Sequence, residues 1–330
     1  MTADLLPLLP VLLLILAAEF VNGWTDAPNA IATVVSTRVL KPYRAVGLAT
    51  AFNIAGAFSG TAVAATIGKG IIRPDAVDAA TVAAAMTAII FWSTLSYRFG
   101  LPTSESHALV AGLAGAGLAT AGPSVLLWEG WKKVIMGLGF STVIGFGLAL
   151  LLMVGLYWLL RRSRPTRIRG VFGKLQIASA AFMAFSHGSN DGQKFIGVFT
   201  LALVLGGILP QFAVPWWVIL LCAGTMGVGT AFGGWRIVRT MGIRLTRLEP
   251  VHGFAAETAA ATAIETASRF GIPLSTTHTI NMAILGVGAT QRLSAVRWGV
   301  TGRIVSAWVL TFPVCAGIGF LAAKLIGMVF

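Results

Sequence analysis

Three carboxylates in this 330-residue chain lie where carboxylates are rare: Asp26, Asp191 and Glu257 sit inside or against long apolar runs. At membrane depth an ionised carboxylate costs roughly 2.5–3.5 kcal/mol on insertion scales, so one found there has a partner or a purpose. A helix-capping Asp at an interface is the plainer account of either Asp, and duplication argues against it. Gly23-Trp24-Thr25-Asp26 and Gly188-Ser189-Asn190-Asp191 place the two alike, and Pro28 and Gly192 follow. A helix broken there frees backbone groups that must face a cavity or buried protein. Both Asp are expected to ligate a cation or carry its proton.

A second repeated pattern suits an anion. Thr103-Ser104-Glu105-Ser106-His107 follows Pro102, and Ser275-Thr276-Thr277-His278 follows Pro273-Leu274. Pro is favoured in the first turn of a helix. Hydroxyls placed there cap, and the free N–H groups beside them attract anions. One such motif is an ordinary cap. Two in corresponding positions point half-helix N-termini at a shared centre, as in a carrier that binds an anion near the midplane. A tetrahedral oxyanion fits better than a planar carboxylate, and both stay open. His107 and His278 either titrate or hydrogen-bond a backbone carbonyl. Lys194 reads as an ion-pair partner of Asp191 or as part of the anion's field. Glu265 and Arg269, four apart, read as a local pair, while Glu19 and Glu105 stay unassigned.

The elements that hold these residues follow from composition. The chain is 56% hydrophobic and 11% charged, with a mean hydropathy of +0.84. Soluble domains carry about 25% charged residues, so a soluble enzyme is excluded, and so is a disordered chain. An all-α polytopic membrane protein remains, with room for about ten crossings of roughly 20 residues. The net charge of +13 reflects basic cytoplasmic loops, not nucleic acid. Cys222 and Cys315 fall in apolar segments and read as free buried thiols. No His/Cys cluster asks for a metal. The N-terminus has Asp4 instead of a cationic region, so Leu5 to Val21 reads as a first span, not a cleaved signal. There is no GxSxG, HExxH or GxxxxGK[ST], which argues against a protease or an ATP-driven pump. An anion channel is the competing class, separable by flux that saturates poorly and needs no co-ion.

Apolar runs fall near 5–22, 45–67, 79–97, 102–121, 134–160, 175–209, 214–235, 251–268, 273–290 and 299–327. Arg161, Arg162, Arg164, Arg167, Arg169 and Lys174 interrupt them near the midpoint. The division is thus residues 1–160, a basic cytoplasmic linker 161–174, and residues 175–330. The halves match: the Asp motifs are 165 apart, the Pro-led motifs 171, and Gly56…Gly60 and Gly229…Gly233 are 173 apart. With the N-terminus outside, the cytoplasmic loops hold 17 of the 24 basic residues, as the positive-inside rule asks. The first loop of one half, 38–44, has three basic residues, and its counterpart 207–214 has none. Inverted repeats explain that contrast. The expected fold is two inverted-topology repeats of about five transmembrane segments each, with broken or re-entrant helices at the midplane; 102–121 and 273–290 are the re-entrant candidates. Both termini are then extracytoplasmic.

At these motifs the chain resembles the inorganic phosphate transporter (PiT) family over essentially its whole length. The carrying residues are Gly23-Trp24-Thr25-Asp26-Ala27-Pro28-Asn29-Ala30, the highly specific Phe185-Ser186-His187-Gly188-Ser189-Asn190-Asp191-Gly192-Gln193-Lys194, the two Pro-led segments, and Gly253-Phe254-Ala255-Ala256-Glu257. The resemblance implies an inner-membrane symporter, a homodimer with no cofactor, that imports inorganic phosphate with a coupling cation. It implies Thr103, Ser104, Ser106, Asn190, Ser275, Thr276 and Thr277 for the anion, and Asp26, Asn29, Asp191 and Glu257 for the cation. Asn53, His107, Lys194 and His278 are further candidates.

Two departures shape the expectation. Thr25 stands where the family commonly has Asn, and Asn53 stands where sodium-coupled members typically carry Glu. The second favours proton symport, with phosphate or a neutral metal–phosphate complex as cargo, over sodium coupling. Burial penalises the ionised form of a carboxyl group, which makes Glu257 the expected proton carrier, while Lys194 holds Asp191 ionised. Relatives of the same architecture move sulfate, so a sulfate permease and a sodium-coupled phosphate symporter are the alternatives.

Overall fold

The computed structural model describes residues 6–329, so Asp4 and the start of the first span at Leu5 lie outside the described residues. Every named element is a helix, and no strand forms among the described residues. The first stretch holds α1 (Leu9–Asp26) and α2 (Pro28–Ser36), then α3 (Pro42–Ala57), α4 (Ala62–Gly70), α5 (Ala79–Arg98), α6 (Glu105–Ala121) and α7 (Trp128–Leu160). The second holds α8 (Pro165–His187), a π-turn (Gly188–Gly192), α9 (Gln193–Leu205), α10 (Trp216–Ala231), α11 (Trp235–Arg239), a second π-turn (Thr240–Arg244), α12 (Pro250–Arg269), α13 (Thr276–Gln291) and α14 (Trp298–Val329).

Both stretches run in one order. Each has a long helix interrupted near the Asp motif, a bent pair and a helix of 20 residues. A short helix behind a Pro-led extended segment follows, then a helix of 33 or 32 residues. The packing exchanges partners in the same way. Helix α1 lies on α10 and α8 on α3, while α6 lies on α14 and α13 on α7. Four glycines make the first two crossings close: a Cβ on Gly23 or Gly229 would overlap the carbonyl of Met226 or Phe20, and on Gly56 or Gly188 that of Phe185 or Asn53. Small residues at such crossings let backbones approach without a side chain between them.

Four helices are long and apolar enough to cross a membrane: Leu6–Ser36, Ala79–Arg98, Trp128–Leu160 and Trp298–Met328. The bent pairs α3–α4 (69°) and α10–α11 with its π-turn (58°) bring the number to six. Ten apolar runs therefore do not translate into ten full-length apolar helices. Helices α6 and α13 have 17 and 16 residues, about 25 Å at 1.5 Å per residue, short of a ~30 Å hydrocarbon core. The outward faces are apolar: Val143, Leu151, Trp158, Val309 and Leu321 are all exposed. A surface of that kind is a lipid-facing one.

Two expectations are corrected. The sharp breaks do not fall at the Asp motifs. Ala27 keeps α-helical angles between α1 and α2, and the second motif makes a π-turn inside a continuing helix. The bends come instead near Gly60 and at Gly233-Gly234, whose positive φ of 81° and 54° only glycine tolerates without strain. The basic stretch 161–174 is also mostly not a linker. Pro165 starts α8, and Arg167, Arg169 and Lys174 lie on that helix, where Arg169 pairs with Glu249 at 3.1 Å.

Candidate functional site

Four segments meet at the centre: the α1–α2 junction, the π-turn between α8 and α9, and the first turns of α6 and α13. The caps of the two short helices are side chains. Ser104 Oγ accepts from the His107 N–H (3.3 Å), and Ser275 Oγ from the His278 N–H (3.1 Å). The other N–H groups of each first turn have no carbonyl within their own helix to bond. The two N-terminal ends touch, with Ser106 Oγ donating to the Leu274 carbonyl at 2.9 Å and the His107 and His278 rings 4.5 Å apart.

Beside these ends, Asp26, His187 and Asp191 each offer a ligand atom, and the three atoms lie within 4.8 Å of one another. Thr277 donates to both Asp26 oxygens at 3.2 and 3.3 Å, and Thr276 to Asp191 at 2.9 Å. Asn29 Nδ2 donates to Thr277 (3.0 Å) and Thr276 (3.3 Å), leaving its Oδ1 without a partner. His187 Nδ1 meets Asn53 Oδ1 at 3.1 Å, while Asn53 Nδ2 donates to Thr230. An amide oxygen only accepts, so Nδ1 carries the proton. Nε2 is thereby the ring atom turned to the carboxylates, 3.5 Å from Asp191 and 3.9 Å from Asp26, and it has no hydrogen bond. Two carboxylates and an imidazole nitrogen make a cation-ligating set. All three residues are at most 2% exposed, so the centre is buried.

Lys194 donates to Asp191, to Ser106 and to the Leu274 carbonyl (2.8 Å). Asn190 turns away, donating to Ser268 Oγ at 2.8 Å and the Ile272 carbonyl at 3.3 Å. Thr103 is buried in the extended segment before α6. Glu257 stands in a separate cluster, accepting from Thr33, Ser179 and Gln176 (3.3 Å). It makes no hydrogen bond to either Asp. Neither His107 nor His278 bonds a backbone carbonyl; His278 stacks on Trp308 with centroids 3.7 Å apart, and His107 lies 4.9 Å from Phe312. Glu265 and Arg269 form their expected local pair.

Two partners escape sequence reasoning. His187 has no role assigned from sequence, although its place four residues before Asp191 puts both on one helix face. Glu105 is buried and accepts from Thr25 (2.9 Å) and Ser93 (2.6 Å), so the Thr25 hydroxyl serves a carboxylate that stands 80 residues away. A Pro-led turn gives no sign of that pairing.

A model described as the phosphate transporter family matches residues 22–319. A probable low-affinity inorganic phosphate transporter of Rhizobium meliloti is 48% identical over 92% of this chain and 91% of its own. Another of that description from Bacillus subtilis is 39% identical over 99% and 100%. The solved structure of "The sodium-dependent phosphate transporter" superposes over 100% of both chains with a TM-score of 0.91 at 23% identity, a likeness of fold. The family and these relatives transport; they are not enzymes. With its membrane-spanning helices and nearly all of its length inside the match, this chain belongs to the phosphate transporter family.

Proposed function

We propose that the chain is a secondary active symporter that imports inorganic phosphate with a cation. Its two stretches act as inverted repeats, rocking about the shared centre. The observation that carries this reading is the convergence of Asp26, His187 and Asp191 beside two touching helix N-termini. A cation site and an anion site are then neighbours, so each ion screens the other's charge and binding of one favours the other. The anion is held by first-turn N–H groups and the hydroxyls of Thr103, Ser104 and Ser275, with Asn190 behind them; Ser106, Thr276 and Thr277 join only by giving up their bonds to Leu274, Asp191 and Asp26. Asp26 and Asn29 hold the cation, with His187 added, while Asp191 completes the site beside them as the counter-ion of Lys194.

The coupling cation is a proton in this reading. Asn53 supports it by being neutral and spent on orienting His187. Glu257 has a neighbour suited to both protonation states: Ser179 donates to the carboxylate, and its second acceptor, the Gln176 carbonyl at 3.2 Å, lets it turn to receive a proton instead. Thr33, also bonded to Glu257, lies on α2, which begins beside Asp26, and gives a route from the proton carrier to the site. A second reading keeps the metal with the cargo. An imidazole and two carboxylates ligate a divalent ion well, as import of a neutral metal–phosphate complex would need. The unit is a homodimer in the inner membrane, with both termini outside and the Arg161–Lys174 cluster in the cytoplasm.

The test is radiolabelled phosphate uptake into proteoliposomes with pH and sodium gradients imposed separately. An inward proton gradient in sodium-free buffer drives saturable accumulation, and Glu257→Gln abolishes that drive while phosphate exchange persists. Accumulation driven by sodium and not by pH overturns proton coupling. Flux that neither saturates nor needs a co-ion makes the chain a channel.

A further inference from the structure

Asp26 and Asp191 occupy matching places, yet the residues three positions on differ in charge: Asn29 follows one and Lys194 the other. Asn29 donates from its amide nitrogen, and its oxygen stays without a partner. On that side Asn29 Oδ1 and His187 Nε2 both lack a hydrogen-bond partner. Lys194 instead brings a full positive charge to a place 1% exposed. An ammonium at that depth is strongly unfavourable unless its charge and all its N–H groups are matched.

They are matched, and by oxygens alone. The three donors of the ammonium go to the Asp191 carboxylate, the Ser106 hydroxyl and the Leu274 carbonyl. A carboxylate with neutral oxygens around it is the ligand set of a hard cation, and one carboxylate balances one positive charge. The cage is assembled from the π-turn, the first turn of α6 and the segment before α13, so it forms only when the two stretches are together. An anion finds no donor left on Lys194, since an ammonium has three N–H groups and no more.

We propose that Lys194 is a tethered cation. Its ammonium permanently fills an alkali-cation cage formed by Asp191, Ser106 and the Leu274 carbonyl, and only the Asp26 side takes a free coupling cation. The inference rests on the reading of the chain as a cation-coupled transporter. It means that import carries one positive charge fewer per phosphate than it would with a neutral residue at 194. The half of the site that needs no free cation is also the half that cannot run down with the gradient.

The experiment uses the full-length chain with Lys194→Asn and, leaving a different volume, Lys194→Ala. Thermal unfolding is followed without phosphate in Na+, K+, NH4+ or choline, and phosphate uptake is measured in proteoliposomes in the same media. The variants are expected to gain several degrees in a small monovalent cation beyond any response of wild type, because a ligand that binds only the folded state stabilises it. Their uptake in choline falls about a hundredfold, the consequence of an unmatched buried carboxylate, and a small cation restores at least about a tenth of it. Four results overturn the proposal: a folded variant with wild-type cation response, wild-type uptake in choline, a lost phosphate affinity that no cation restores, or failure of both variants to fold in every medium. The unfolding readout needs no transport. If wild type accumulates no phosphate under either gradient, the symporter reading fails while the unfolding shift still decides the role of Lys194.

Discussion

Asp26→Asn separates charge from shape at the centre of the site. The Asn oxygen still accepts from Thr277, now bonded to both Asp26 oxygens at 3.2 and 3.3 Å. The new amide nitrogen would face His187 Nε2, which lies 3.9 Å away and lacks a hydrogen bond. Stability should thus change by no more than about 1 kcal/mol, the scale of one neutral hydrogen bond. Cation affinity should change far more. A unit charge 4 Å from a carboxylate in an effective dielectric of about 20 gains about 4 kcal/mol, which is about a thousandfold in affinity. Uptake measured against the concentration of the driving cation should therefore need about a thousandfold more of it, with the unfolding temperature nearly unchanged. Near wild-type uptake with an unaltered dependence on the driving cation would refute the assignment of Asp26 to the cation.

Asp191→Asn should behave differently, because Asp191 is the counter-ion of Lys194. Leaving a buried charge unpaired costs about 3–5 kcal/mol, so this variant should lose stability in thermal unfolding where Asp26→Asn does not; equal stability of the two would contradict the ion pair's role. Ser104→Ala and Ser275→Ala should raise the half-saturating phosphate concentration about ten- to a hundredfold, as lost bonds to a charged group cost roughly 1.5–3 kcal/mol. If only stability falls, by about 1 kcal/mol as for a lost cap, these hydroxyls serve the helices alone. Gly188→Ala puts a Cβ on the Asn53 carbonyl and should cost about 1–3 kcal/mol as overpacking does; Gly139→Ala, which meets nothing within 4 Å, is the control and should leave the unfolding temperature where it was.

What the sequence displays and what it hides divide along a physical line. Duplicated motifs are visible because both copies answer the same local need. Asp26 with Asp191, and Ser104 with Ser275, can be paired from spacing alone, and the structure brings their segments to one centre. The position of the bends is hidden: the Asp motifs suggest it, yet a π-turn absorbs the irregularity there without breaking the helix, and the chain turns near Gly60 and Gly233, whose spacing shows only the duplication. The cross-links are hidden. Thr277 reaches Asp26 across 251 positions and Asn53 reaches His187 across 134, separations at which no periodicity constrains the chain. His107 and His278 mislead for a related reason. A histidine in an anion-site motif suggests titration, yet these two pack on each other and on Trp308 and Phe312.

The departures from repeat symmetry are where the two halves take different work. Matching positions in both copies build the frame, as the capping Ser pair and the crossing glycines do. The positions that do not match carry the charge distribution. Asn29 faces Lys194, Glu105 faces Thr276, and Glu257 has no acidic counterpart in α5. A strictly symmetric site would bind the same ion twice. The break at 29 and 194 puts a neutral amide beside Asp26 and an ammonium beside Asp191. In the proposed reading, two carboxylates and one ammonium leave one negative charge among these groups, enough to attract one cation. On that reading a bound cation balances these groups, and phosphate reaches the helix N-termini without meeting their net negative field.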